Sequence, residues 1–203
     1  MPVTEKDLIF IPITAQMETF AAYTANKRQL YEYPRAGYGD YNTRGISKIK
    51  NGILGELAFL EYIHAYLSKA TVSLDANNRW KILHEKAKFS YQPVIGNFDG
   101  GFEFKIGKHT IDIKTYETNQ VSVNQIFKGL KEQGRPLSLF VDESQNANAD
   151  IYIQVFRMKD NTICLAGFHK GLPQLATWMP KPAYACAVPF LQKMEALLDL
   201  IAI

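Results

Sequence analysis

Between residues 14 and 33 the chain contains neither Gly nor Pro, and Met17, Phe20, Ala21 and Thr24 recur at helical spacing, so a first helix is predicted there, ended by Pro34. Residues 35–44 (RAGYGDYNTR) read as a loop rich in Gly, Tyr and Asn. A longer helix is predicted over residues 46–68, with Ile49, Ile53, Leu57, Leu60 and Ile63 on one stripe and Lys48 and Glu56 beside it. Gly52 and Gly55 interrupt that helix at up to about 1 kcal/mol each relative to alanine, which suggests close approach by another backbone or a ligand, or simply tight helix packing. The pattern then changes to short strands at 80–83, 89–95, 102–106 and 110–116, with Gly107-Lys108 as a tight turn between the last two. Further strands are predicted at 137–141, 151–156 and 163–168, a short helix at 123–132, and a closing amphipathic helix at 189–203. Helices followed by a hairpin-rich sheet, a helix and more strands imply an α/β domain with a mixed β-sheet flanked by helices and an N-terminal helical segment.

The length of 203 residues suits one domain, in which residues 1–45 form a helix with a basic, tyrosine-rich loop and residues 46–203 form the core. With 47% hydrophobic and 21% charged residues the chain lies far from disordered compositions. A net charge of +3 permits a polyanionic partner without requiring one. Cys164 and Cys186 have no neighbours at zinc-site spacing, so buried, reduced thiols and a cytoplasmic, intracellular location are expected. Residues 8–13 are apolar, but Glu5, Asp7 and Pro12 make them unlike a signal peptide, and no apolar run is long enough to cross a bilayer. No phosphate-binding glycine loop of the Walker type is present, which argues against a nucleotide cofactor, and His64, His84, His109 and His169 form no paired motif.

The chemistry is concentrated in residues 97–117, NFDGGFEFKIGKHTIDIKTYE. Side chains alternate across a strand, so Asp112 and Lys114 point one way and Ile111 and Ile113 the other, into the core. A hairpin about Gly107-Lys108 would let Asp99 approach Asp112, leaving two carboxylates and an ammonium in one small volume. Carboxylate and carbonyl oxygens form a hard site suited to Mg²⁺, with Mn²⁺ as a substitute, and the carbonyl of Ile113 is a further ligand by position. A lysine beside such an ion can orient the attacking water or neutralise developing charge. Glu103 and Glu117 are alternative acids, with Glu103 expected on the solvated face of its strand.

Asp99, then Asp112-Ile113-Lys114 on a strand, together with Gly55-Glu56 on the preceding helix, resembles the PD-(D/E)xK motif of the restriction-endonuclease-like nuclease superfamily. The resemblance covers about residues 46–126, and departs from the pattern in having Phe98 rather than proline before Asp99. It implies a Mg²⁺-dependent endonuclease hydrolysing DNA phosphodiesters, with Glu56, Asp99, Asp112 and Lys114 as catalytic residues. The resemblance further implies that Glu56 completes the metal site and that Gln125 lies near the scissile phosphate. The alternatives are a catalytically inactive nucleic-acid-binding module on the same fold and an unrelated α/β scaffold. One active centre cuts one strand, so double-strand cleavage would imply a homodimer or two successive events.

Lys27, Arg28, Arg35, Arg44, Lys48 and Lys50 are interleaved with Tyr31, Tyr33, Tyr38 and Tyr41 ahead of the Glu56 helix. Cations at this density can neutralise phosphates, and tyrosines can stack on bases or bond the backbone, so Arg28, Arg35, Tyr38, Arg44 and Lys48 are the candidate DNA contacts. DNA binding by the Arg35→Ala/Arg44→Ala double variant is expected to lose much of its salt dependence; equal salt slopes for variant and wild type would rule out this segment as the grip.

Overall fold

The computed structural model describes residues 2–32, 43–66, 71–74, 80–84, 87–91, 102–106, 108–116, 120–130, 135–142, 148–176 and 183–201. Strand β1 (Ile9–Pro12) is followed by helices α1 (Ala15–Glu32) and α2 (Thr43–Tyr66). Strands β2 (Thr71–Leu74), β3 (Trp80–His84), β4 (Ala87–Tyr91), β5 (Phe104–Ile106) and β6 (His109–Thr115) come next, then the short helix α3 (Val123–Lys128). Strands β7 (Ser138–Asp142), β8 (Ile151–Arg157), β9 (Thr162–Lys170), β10 (Gln174–Ala176) and β11 (Ala183–Ala187) lead to helix α4 (Met194–Ile201).

Eight strands form one mixed sheet in the order β1-β9-β8-β6-β5-β4-β3-β2, and β10-β11-β7 form a second, antiparallel sheet. Among the described residues of the large sheet only the β6–β8 pairing is parallel, from Ile111 opposite Ile151 to Thr115 opposite Val155. Thr110 and Asp150 fix the start of that register: the backbone amide and hydroxyl of Thr110 both donate to Asp150 Oδ2, at 2.8 and 3.0 Å, and the Asp150 amide donates to the Thr110 carbonyl.

Both faces of the sheet's centre are covered. On one face Ile53, Leu54 and Phe59 of α2 meet Ile111, Ile113, Ile153 and Val155. On the other, Tyr152, Phe156 and Cys164 pack with Ile126, Leu139, Val141 and Val188. Strand β8 is therefore buried along almost its whole length, as a strand covered on both sides must be. Helix α2 is itself covered on two sides, by the sheet and by α1. Its buried surface accordingly shifts from the predicted stripe to Ile53, Leu54, Ala58, Phe59, Tyr62 and Ile63, while Ile49, Leu57 and Leu60 are partly buried.

The mixed α/β sheet with flanking helices agrees with expectation, and several details differ. The apolar residues 8–13 contain an edge strand, where Pro12 is tolerated because its missing N–H faces no partner strand. Strand β7 belongs to the second sheet, and β2, β10 and β11 were not anticipated. Helix α3 stops at Lys128, followed by Gly129 at φ +87°, and the last helix starts at Met194, after a 3-10 turn over Val188–Phe190. Among the described residues no helix is long and apolar enough to cross a membrane. Both cysteines are free thiols, Cys164 buried and Cys186 half-buried.

The two mid-helix glycines separate cleanly. A methyl group at Gly55 would collide with Thr115 Oγ1, whereas one at Gly52 meets nothing within 4 Å. Gly52→Ala is expected to stabilise the fold by about 0.5–1 kcal/mol through helix propensity, read from urea unfolding; a loss of stability would mean that Gly52 has a packing role.

Candidate active site

Alternation along β6 sends Ile111 and Ile113 into the core beneath α2 and Asp112 and Lys114 to the opposite face. Asp112 is only 4% exposed, and its Oδ2 lies 2.7 Å from Lys114 Nζ. Burial opposes the charge on Lys114, but the Asp112 and Glu103 carboxylates outweigh it and hold the ammonium above the usual lysine range. Across the parallel ladder Asp112 neighbours Tyr152 and Lys114 neighbours Gln154, both almost fully buried. The Tyr152 hydroxyl accepts the Ala149 amide at 3.2 Å, and Gln154 Nε2 donates to the Val155 carbonyl at 2.8 Å.

Glu103 stands where β5 ends its pairing with β6. Its amide donates to the Ile111 carbonyl at 3.0 Å, and its own carboxylate Oε2 accepts the Ile113 amide at 2.8 Å, replacing the next backbone partner of the ladder. Contrary to the expected solvated position, Glu103 is half-buried, because this bond draws its carboxylate along β6 beside Asp112. Burial, then the charges of Asp112 and Glu56, raise its carboxyl well above the ordinary range, with Lys114 and the Ile113 amide acting in the opposite sense. Successive residues of a strand direct their backbone groups to opposite sides. The Ile113 carbonyl thus faces the same side as its amide, towards Glu103.

Glu56 enters from α2. It is 4% exposed rather than displayed on the helix surface, and its charge reaches Glu103. Glu56, Glu103, Asp112 and Lys114 therefore belong to one electrostatic cluster at the divergence of β5 from β6. Among the described residues no three His, Cys, Asp or Glu side chains are already arranged to hold a metal ion. The donor set nevertheless has the right chemistry for one: oxygen-only ligands, among them the Glu103 carboxyl, which burial and its neighbours make hard to ionise.

The other predicted positions fare differently. Asp99 and Glu117 lie outside the described residues, as do the side chains of Arg28, Arg35, Tyr38 and Arg44. Lys48 is exposed on α2, while Lys50 is ion-paired with Glu18 of α1 instead of being held out to solvent. Gln125 is taken up in a capping box at the start of α3, its Oε1 accepting the Ser122 amide at 2.9 Å and hydroxyl at 3.2 Å. His109 is half-buried at the start of β6, paired in register with Ile106. Glu103, read from the sequence only as an alternative acid, takes a central place, and hairpin arithmetic could have promoted it: Phe104 opposite Ile111 and Ile106 opposite His109 make Glu103 the counterpart of Asp112. No protein-family model, curated protein or solved structure matches the chain.

The raised carboxyl of Glu103 carries a pH signature. A carboxyl that is harder to ionise in the folded than in the unfolded chain contributes stability that is complete below the unfolded value of about 4.3 and is lost as pH rises through the folded value. Glu103→Gln keeps an oxygen for the Ile113 amide and removes the titration. Its urea midpoint, measured against pH, should fall less than that of wild type above the ordinary carboxylate range. Parallel curves would place the strain elsewhere.

Proposed function

We propose that the chain is a divalent-metal-dependent nuclease of the restriction-endonuclease-like type that hydrolyses phosphodiester bonds in DNA. The supporting observation is the buried Asp112–Lys114 ion pair with Glu103 beside it and the buried Glu56 acting on Glu103. Two facing strands supply the acids and the lysine, and the helix beneath supplies the second glutamate. Asp112 and Glu103 would hold Mg²⁺, with the Ile113 carbonyl and Glu56 as further oxygen donors and Asp99 as the acid named by the sequence motif. The chemistry such an ion supplies is polarisation of a phosphoryl oxygen and acidification of a water.

Lys114 has a defined part in this scheme. Its ammonium is held above the usual range by the Asp112 and Glu103 carboxylates. It is suited to orienting the attacking water by hydrogen bonding and to neutralising charge that develops on the phosphate. Occupation of the site by a cation would release Lys114 from its present partner, because Asp112 Oδ2 cannot serve both equally well. Tyr152 and Gln154 close the β8 side of Asp112 and Lys114, so substrate would approach from the side of Glu103. Lys48 is exposed on α2 eight residues before Glu56, about 12 Å along the axis, a reach suited to a neighbouring phosphate.

Plasmid nicking in Mg²⁺ tests the proposal. Asp112→Ala and Lys114→Ala are each expected to lose at least ~10²-fold in rate, the usual scale for removing a group that stabilises transition-state charge. Equal rates in all three proteins would refute the site. DNA retention without nicking by wild type would identify a binding module instead.

A further inference from the structure

We infer that Gly55 and Thr115 act together as a spacer that sets how closely the turn of α2 carrying Glu56 approaches β6, the strand of Asp112 and Lys114, which makes them positioning residues of the site. The inference rests on the nuclease reading and adds to it the element that determines the helix-to-strand distance.

Gly55 directly precedes Glu56, and Thr115 directly follows Lys114. A Cβ at position 55 would overlap Thr115 Oγ1, and it would also lie 3.3 Å from Val155 Cγ1 and 3.5 Å from Thr115 Cβ. The approach is confined to this turn of the helix, since the corresponding position at Gly52 is open. Elsewhere α2 rests on large side chains. Phe59, one turn beyond Gly55, packs edge-on against Phe104 with ring centroids 4.9 Å apart. The helix is thus seated at two points, one beside Lys114 and one beside Glu103, and Glu56 lies between them.

Nothing else accounts for the threonine. Its Oγ1 is buried with no hydrogen-bond partner among the described residues, an uncommon state for a hydroxyl. Thr115 is also short and β-branched, so it cannot swing aside as the tip of a long side chain would. An added methyl at position 55 must therefore lift this part of the helix away from β6. Glu56 is withdrawn with it, while the Phe59 contact holds the next turn.

Four proteins test this: wild type, Gly52→Ala, Gly55→Ala and Gly55→Ala/Thr115→Ala. Each is titrated with Mn²⁺ by calorimetry, and the metal-free forms are crystallised to compare the α2–β6 separation at residues 55 and 115. Gly55→Ala is expected to bind Mn²⁺ about 10- to 100-fold more weakly, the range found for partners that orient metal ligands, and to show a widened separation. The double variant removes the overlapping oxygen and should recover both affinity and separation to near wild type. Gly52→Ala, which adds the same methyl one turn earlier, should match wild type. Wild-type affinity and spacing in Gly55→Ala, or a double variant no better than Gly55→Ala, would overturn the spacer. Should Gly55→Ala not fold, recovery of folding and Mn²⁺ binding in the double variant supports the spacer, and failure of both overturns it. Absence of Mn²⁺ binding by wild type would instead refute the metal site, and the crystallographic separations would still decide the spacer.

Discussion

Parallel pairing of β6 with β8 places Asp112 beside Tyr152 and Lys114 beside Gln154, and sends Ile111 and Ile113 to the opposite face beneath α2. Slipping this register by one residue would drive Asp112 and Lys114 into the apolar layer and expose the isoleucines. The reciprocal bonds between Thr110 and Asp150 oppose that slip at the start of the pairing. Tyr116 continues the alignment past the end of β6 by donating its amide to the Val155 carbonyl at 2.9 Å. The polar cluster is therefore held by strands that are themselves buried on both faces. A rigid sheet, rather than a surface loop, carries Asp112 and Lys114.

Such burial has a consequence for stability as well as position. Removing one partner of a buried ion pair costs on the order of 3–5 kcal/mol, because the other charge is left without compensation. Asp112 and Lys114 are deep enough for this to apply in part, with the lysine side chain still 22% exposed and correspondingly discounted for solvent screening. Burial and the neighbouring carboxylates act together on Glu103, whose proton is held more tightly than in a solvated glutamate.

Much of this arrangement was legible in the sequence because it depends on short-range periodicity. Period-two alternation gave the two faces of β6, and the gap free of Gly and Pro gave α1. What escaped depended on pairing or on tertiary cover. Pro12 looked like an interruption, but β1 is an edge strand, and only the sheet order reveals that. Glu103 looked solvent-facing because alternation alone cannot show that β5 stops pairing there and leaves the Ile113 amide for a side chain to satisfy. Gln125 looked available because its position after the lysine motif does not reveal that Ser122 would claim its carboxamide. Gly52 and Gly55 are indistinguishable by composition and spacing. Only the position of Thr115 separates the glycine that is needed from the one that is not.

The basic segment ahead of α2 is also sorted by partners that the sequence cannot display. Glu18 of α1 engages Lys50 of α2 and, at 3.1 Å, Arg157 at the end of β8, whose guanidinium also donates to Asn51 at 2.8 Å. Lys27 sits over the ring of Tyr23, its neighbour one turn back on α1, at 5.6 Å. Glu18 thereby converts two cations into a tie between the helices and the sheet, so they count towards anchoring α1 more than towards holding a polyanion. Lys48 lies two residues before Lys50, on a different side of the same helix, and remains exposed. Helical geometry turns by about 100° per residue, so two lysines two residues apart in one basic run face different ways: Lys50 ties the N-terminal helix to the core, and Lys48 lies at the surface of the helix that carries Glu56.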